Sequence, residues 1–318
     1  MLAAAAPLYS FGDASLRPYR LKVSYQLFDE DGKAADTGTF EYWWASPGVN
    51  RSTWTREGAT HTDWQTADGK FAHIAKGEPL KYFEYKLQAA FLSPLPAPAD
   101  LDPAKSRLEP ESVTLGSVKL PCVMVVPQIG QHGKAETIPM GLFPTYCFDP
   151  KVPVLRIMYS FGSVTEEFNH IAKVQGRDIP RDIQLFDGKR KILSATLDSV
   201  DGMAPMDPML TPPSDAKVSS VGKVQLAADV VQDALLRRQP PFYPPDAKLA
   251  RVDGRVVLQA MIGADGGVRD LHVVSAPMAS MAASALWAVT HWQYNPFVVK
   301  GEPVDVETTI NVQFDFRE

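Results

Sequence analysis

The sequence has no long hydrophobic run. No stretch approaches the ~20 consecutive apolar residues that a bilayer-spanning helix needs, so no such helix is expected. Cysteine is scarce, at two in 318 residues, which excludes a small scaffold stapled by many disulfides. Basic charge is not in excess. With 32 Lys and Arg against 37 Asp and Glu, the net charge of −5 argues against nucleic acid as a partner.

Catalytic patterns are missing too. The six histidines (His61, His73, His132, His170, His272, His291) show no His-Glu-x-x-His spacing. Glu167-Phe168-Asn169-His170 fits Glu-x-x-His, but the second such motif of a carboxylate-bridged metal pair is missing. Asp29-Glu30-Asp31-Gly32 opens like a calcium loop, yet its glycine comes two positions early, so a hairpin turn explains it. Gly263 to Gly267 lies between two strand patterns and opens no helix that could receive a phosphate. There is no Gly-x-Ser-x-Gly elbow. No catalytic site, metal or cofactor is expected, and no enzymatic activity.

What is present is mostly β pattern, and the expected class is α+β with β predominating. Residues 19–28 alternate, with Tyr19, Leu21, Val23, Tyr25 and Leu27 on one face. Strands at 37–45, 49–56, 61–65 and 70–75 follow, separated by turn signals, as in a curved antiparallel sheet or half-barrel. Residues 78–92 carry aromatics and leucines at near-helical spacing, and 93–103 read as a proline loop. Further strands are expected at 113–126, 143–149, 152–161, 163–173 and 190–200. Cys122 and Cys147 fall on the first two of these; they are a disulfide in an oxidising compartment or two buried thiols in a reducing one. The stretch DGMAPMDPMLTPPSDA reads as a linker, dividing the chain into 8–200, a linker at 201–218, and 219–318.

In the last part, 222–238 is either one helix or a strand followed by a helix. A short helix is expected at 245–251, a hairpin over 256–262 and 268–275, and a helix over Met278–Trp292. The final stretch alternates for thirteen residues. Val304, Val306, Thr308, Ile310, Val312, Phe314 and Phe316 lie on one face, and Asp305, Glu307, Thr309, Asn311, Gln313 and Asp315 on the other.

These residues resemble the TonB C-terminal domain. The matching pieces are Tyr243-Pro244, Gly254-x-Val256, Asp265-Gly266-x-Val268, Trp292-x-Tyr294-x-Pro296 and Gly301-x-Pro303, in the family's order over about a third of the chain. The first 200 residues resemble, more weakly, lipoprotein carriers of the LolA/LolB kind, through TGTFEYWWASPGVNRSTW and ADGKFAHI.

The resemblances imply a periplasmic or cell-envelope protein, with any signal or anchor removed, and a Cys122–Cys147 disulfide. A small antiparallel sheet backed by helices would bind the TonB box of an outer-membrane receptor, or a strand of another envelope protein, by β-augmentation. Val306, Thr308, Thr309, Ile310, Asn311, Val312 and Gln313 would form that edge. Tyr243, Pro244, Gly254, Gly266, Trp292, Pro296, Gly301 and Pro303 would be structural. Two further implications are a homodimer through the same edge and a lipid cavity lined by Tyr42, Trp43, Trp44, Trp54 and Trp64, as in a lipid or lipoprotein carrier. Force transmission is not expected, because the linker is short and no membrane helix precedes it.

Overall fold

The computed structural model describes residues 1–74, 80–127, 140–161, 164–218, 224–299 and 301–316. Turn-punctuated alternation produces one antiparallel sheet of thirteen strands. In spatial order these are Lys217–Val218, Gly69–Ile74, Ala59–Thr66, Val49–Arg56, Ala34–Ser46, Tyr19–Phe28, Arg190–Gly202, Asp182–Asp187, Val164–Asn169, Leu155–Phe161, Thr145–Phe148, Val118–Pro127 and Ser106–Leu115. The sheet does not close on itself. One face of it buries Tyr25, Leu27, Phe40, Tyr42, Trp44 and Trp54 against the helix Tyr82–Leu92. Leu2, Ala5, Tyr9 and Phe11 fill the same core, from a helical turn at Leu2–Ala5 and a 3-10 turn at Ala6–Tyr9. This segment is anchored by Leu155 N–H donating to Tyr9 Oη at 2.8 Å and Phe11 N–H donating to the Leu92 carbonyl at 3.1 Å.

Several strand limits differ from the sequence expectation. The expected strand at 113–126 is a hairpin, Ser106–Leu115 and Val118–Pro127, turning at Gly116. Its first arm contains Pro110 and charged residues and lies at the sheet edge, where a missing N–H costs nothing. The expected strand at 163–173 breaks at His170, whose φ is +50°, and Asp182–Asp187 is an additional strand. Of the segment 222–238, residues 222–223 lie outside the described residues, and the rest is strand then helix then strand: Val224–Leu226, Ala228–Asp233 and Leu235–Arg237.

Cys122 and Cys147 are register partners on neighbouring strands and form a disulfide. It closes a loop with a sequence separation of 25, which by chain entropy stabilises the fold by about 3 kcal/mol. Replacing both cysteines by serine is expected to lower the unfolding free energy by that amount, read as a lower urea midpoint at unchanged m-value. An unchanged midpoint would show that the 122–147 loop is already constrained in the unfolded chain.

The second, four-stranded sheet has the order Val224–Leu226, Val306–Phe314, Gly254–Ile262, Val268–Ser275. The helix Ala279–Val289 covers one face with Met281, Ala282, Ala285 and Val289. Small residues let it approach closely. Its core also takes in Tyr82, Met124, Val126 and Val164 from the large sheet and its helix, and Phe143 from the bend before Thr145–Phe148. The two parts therefore share apolar packing.

Candidate functional site

The last strand runs Val306–Phe314, nine residues rather than the thirteen of the alternation. Its partner sets this length, because the register runs from Ile262 opposite Val306 to Gly254 opposite Phe314. Upstream of it, Val304 N–H donates to the Phe297 carbonyl and Asp305 Oδ1 accepts from Ala264 N–H, so the chain leaves the sheet there. The faces are as the alternation implies. Val306, Thr308, Ile310, Val312 and Phe314 are buried, and Thr309, Asn311 and Gln313 are exposed.

The two edges of this strand differ. One is paired with Gly254–Ile262 along its whole length. The other pairs, in parallel, only at Val306, Glu307 and Thr308, with Val224, Gln225 and Leu226. Thr308 Oγ1 also donates to the Leu226 carbonyl at 2.9 Å. From Thr309 to Phe314 no strand lies on this side among the described residues. A small recess of about 30 Å³ opens beside Thr309, Ile310 and Asn311, walled by Ala228, Val231, Leu235, Arg238, Trp292 and Tyr294. It has room for one methyl-sized or water-sized group.

The motif residues hold the ends of this sheet. The Tyr243 hydroxyl donates to the Val252 carbonyl, and its ring packs edge-on against Phe314 and Phe316. Pro244 caps the helix Pro245–Ala250, and Gly254 opens the strand that Phe314 ends against. Gly266 has φ +82°, and a Cβ there would lie 2.0 Å from the Tyr294 carbonyl oxygen, so only glycine fits. Trp292 Nε1–H donates to the Gln239 carbonyl at 2.7 Å. Pro296 flanks the Gly266 turn, and Gly301 turns the chain so that Pro303 pairs with Val298.

The five aromatic residues read as a cavity lining do not come together. Tyr42, Trp44 and Trp54 face the core, where Trp54 Nε1–H donates to the Glu84 carbonyl at 3.1 Å. Trp43 and Trp64 lie on the opposite face, with Arg51 stacked between them at 4.3 and 5.6 Å from the ring centres. The inward group is packed against helix Tyr82–Leu92 and the Leu2–Phe11 segment. Of the Glu-x-x-His pair, His170 Nδ1 lies 2.5 Å from Asp182.

A further cluster lies where the two parts meet, and no sequence pattern announced it. Arg269, on the strand Val268–Ser275, is 16% exposed and faces Asp63 and Asp305 at 3.7 Å and Asp265 at 3.9 Å. Its guanidinium sits 4.6 Å from the centre of the Tyr85 ring, and Nη2 is 3.2 Å from His61 Nε2. The Tyr85 hydroxyl donates to Asp265. Lys86 lies 3.4 Å from Asp270. Asp63, His61, Tyr85 and Lys86 belong to the large-sheet part, and Arg269, Asp265, Asp270 and Asp305 to the small one. Burial pushes the Tyr85 hydroxyl well above its ordinary pKa, and Asp265 adds to the rise against the opposing pull of Arg269.

Residues 239–316 match the family model of the Gram-negative bacterial TonB protein C-terminal. All eight motif residues fall inside that match, and the segment Val224–Arg237 lies outside it. Similar solved structures include a LolA superfamily protein from Nitrosomonas europaea, 7% identical, covering 66% of this chain and 96% of that one at a TM-score of 0.41. The TonB CTD of Pseudomonas aeruginosa is 29% identical, covering 26% of this chain and 86% of that one at a TM-score of 0.24. A DUF1329 family protein from Desulfovibrio piger is 8% identical, covering 61% and 88% at a TM-score of 0.36. No curated protein matches the chain.

Proposed function

We propose that this chain is a TonB-like cell-envelope protein that binds an extended segment of a partner along the edge of its last strand. The partner class is the TonB box of an outer-membrane receptor in TonB-dependent transport. The observation that carries this reading is the edge Thr309–Phe314, without a strand neighbour among the described residues, within a region that matches the TonB C-terminal model. Backbone N–H and C=O groups along such an edge supply affinity to any extended chain, and recesses beside it supply choice. The recess next to Ile310 has the position for one side chain of the guest.

The alternative function, a lipid or lipoprotein carrier, needs an open apolar face on the large sheet. That face is packed by helix Tyr82–Leu92 and by Leu2, Tyr9 and Phe11, which favours the first reading. The ionic cluster around Arg269 further suits a binding unit held firmly on the large-sheet part.

The test is a titration of the intact, deuterated protein with synthetic TonB-box peptides, followed by backbone amide shifts. Shifts concentrated in Thr309 to Phe314 are expected. No binding at millimolar peptide would sink the proposal.

A further inference from the structure

The partner edge already carries a strand. Val224–Leu226 lies beside Val306–Thr308, parallel to it and in continuous register. Its side chains alternate as a guest's would: Val224 and Leu226 are half-buried against the small-sheet core, and Gln225 is exposed. The helix that follows, Ala228–Asp233, then lies over the next stretch of the same edge, walling the recess beside Thr309–Asn311. This whole segment stands outside the family match.

We infer that Val224–Leu226 is a resident strand, held in the place of the partner, and that its direction and pattern describe the partner. The inference rests on the strand-addition reading above. The partner is an extended peptide segment that runs parallel to the last strand, with apolar side chains at alternate positions. It is longer than the resident, since it can pair along nine residues where the resident pairs along three.

The resident is weakly held. Parallel pairing is slightly less stable per residue than antiparallel. A six-residue helix has no stability of its own. Val231 is the one fully buried side chain of the helix. Segments with so few buried contacts open locally far more often than the fold unfolds. Because the resident competes from within the chain, apparent affinity for a partner falls by the fraction of molecules in which it is released.

The experiment uses the full chain in four forms. These are the unmodified protein, Leu226→Pro, the oxidised pair Gln225→Cys/Glu307→Cys, and the control Gln225→Ser/Glu307→Ser. Proline removes a ladder N–H and frees the edge. The cysteine pair joins register partners on adjacent strands, about 4.8 Å apart, within the span a disulfide bridges. Two peptides are the probes: GKVQLAAD, which is residues 222–229, and a receptor TonB-box peptide.

The expected result is that both peptides bind Leu226→Pro at least about tenfold more tightly than the unmodified chain, and that neither binds the crosslinked form. Equal binding to the crosslinked and serine forms would overturn the inference and leave strand addition standing. Binding of GKVQLAAD to Leu226→Pro, with no binding of the TonB-box peptide to any form, would support a displaceable resident strand and overturn the receptor reading. No binding of either peptide to any form would overturn both.

Discussion

Arg269→Ala is expected to separate the two parts of this protein. The guanidinium is the cation shared by Asp63, Asp265 and Asp305, and it stacks on Tyr85. Removing it leaves three carboxylates facing one another, with Asp265 buried and Asp63 and Asp305 partly exposed. Breaking a buried ionic contact by deleting one partner costs about 3–5 kcal/mol. The loss falls on the junction, because Asp63 and Tyr85 come from the large-sheet part and Asp265 and Asp305 from the small one. Scanning calorimetry should therefore show the small sheet melting in its own, earlier transition. A single transition at the unmodified temperature would show that the shared core around Tyr82, Met124 and Phe143 holds the parts together without the charges.

The same junction has a pH signature. Burial, the largest influence on Asp63, pushes its carboxyl up, but His61 and Arg269 together outweigh it and hold the group below the ordinary carboxylate range. The folded state thus favours the ionised form. Its contribution is complete above the unfolded value of about 3.9 and is lost as pH falls through the lower folded value. Acidification below about pH 4 should loosen the junction in the unmodified protein, and Asp63→Asn should remove part of that dependence.

Glu84→Ala is expected to be comparably costly, and for the large-sheet part alone. Glu84 is fully buried on the helix Tyr82–Leu92. One oxygen accepts from the Tyr25 hydroxyl at 2.6 Å and from Arg56 Nε at 3.0 Å; the other accepts from Lys81 N–H at 2.8 Å and caps the helix. Arg56 is 4% exposed and would lose its nearest carboxylate while keeping Asp36, at 3.4 Å. A buried guanidinium that has lost its closest carboxylate, an orphaned hydroxyl and a lost cap together cost about 3–5 kcal/mol. Near-UV circular dichroism would report the loosening, since Trp54 is bonded to the same helix turn. The double variant Arg56→Met/Glu84→Leu should recover most of the loss, because an apolar pair of similar volume avoids the cost of burying charge. A double variant as unstable as Glu84→Ala would assign the damage to packing and capping.

Elements that interact with near neighbours were legible from the residues. The alternation of 19–28 and of the last strand, the 256–262 and 268–275 hairpin and the helices carry their periodicity locally, and a period of two or of 3.6 needs only the chain itself. The TonB-like motif was legible for a related reason. Its glycines and prolines mark turns whose backbone demands few other residues meet, as at Gly266. Strands without clean alternation were less visible, such as Asp182–Asp187, or the edge arm Ser106–Leu115 with its proline.

The candidate site divides in the same way. Its strand, its buried face and its outward residues followed from the sequence alone, because side chains on a strand must alternate. Tertiary structure decided which backbone groups of that strand are satisfied and by what. The pairing of Val306–Thr308 with Val224–Leu226 joins residues about eighty positions apart, and no local pattern fixes such a choice. The Arg269 cluster draws on residues from 61 to 305 for the same reason. Charges scattered along a chain look like solvated surface until folding brings them to one place and removes the water. The sequence thus determined the elements and their faces; only the folded chain decided which edge is occupied and how the two parts are held together.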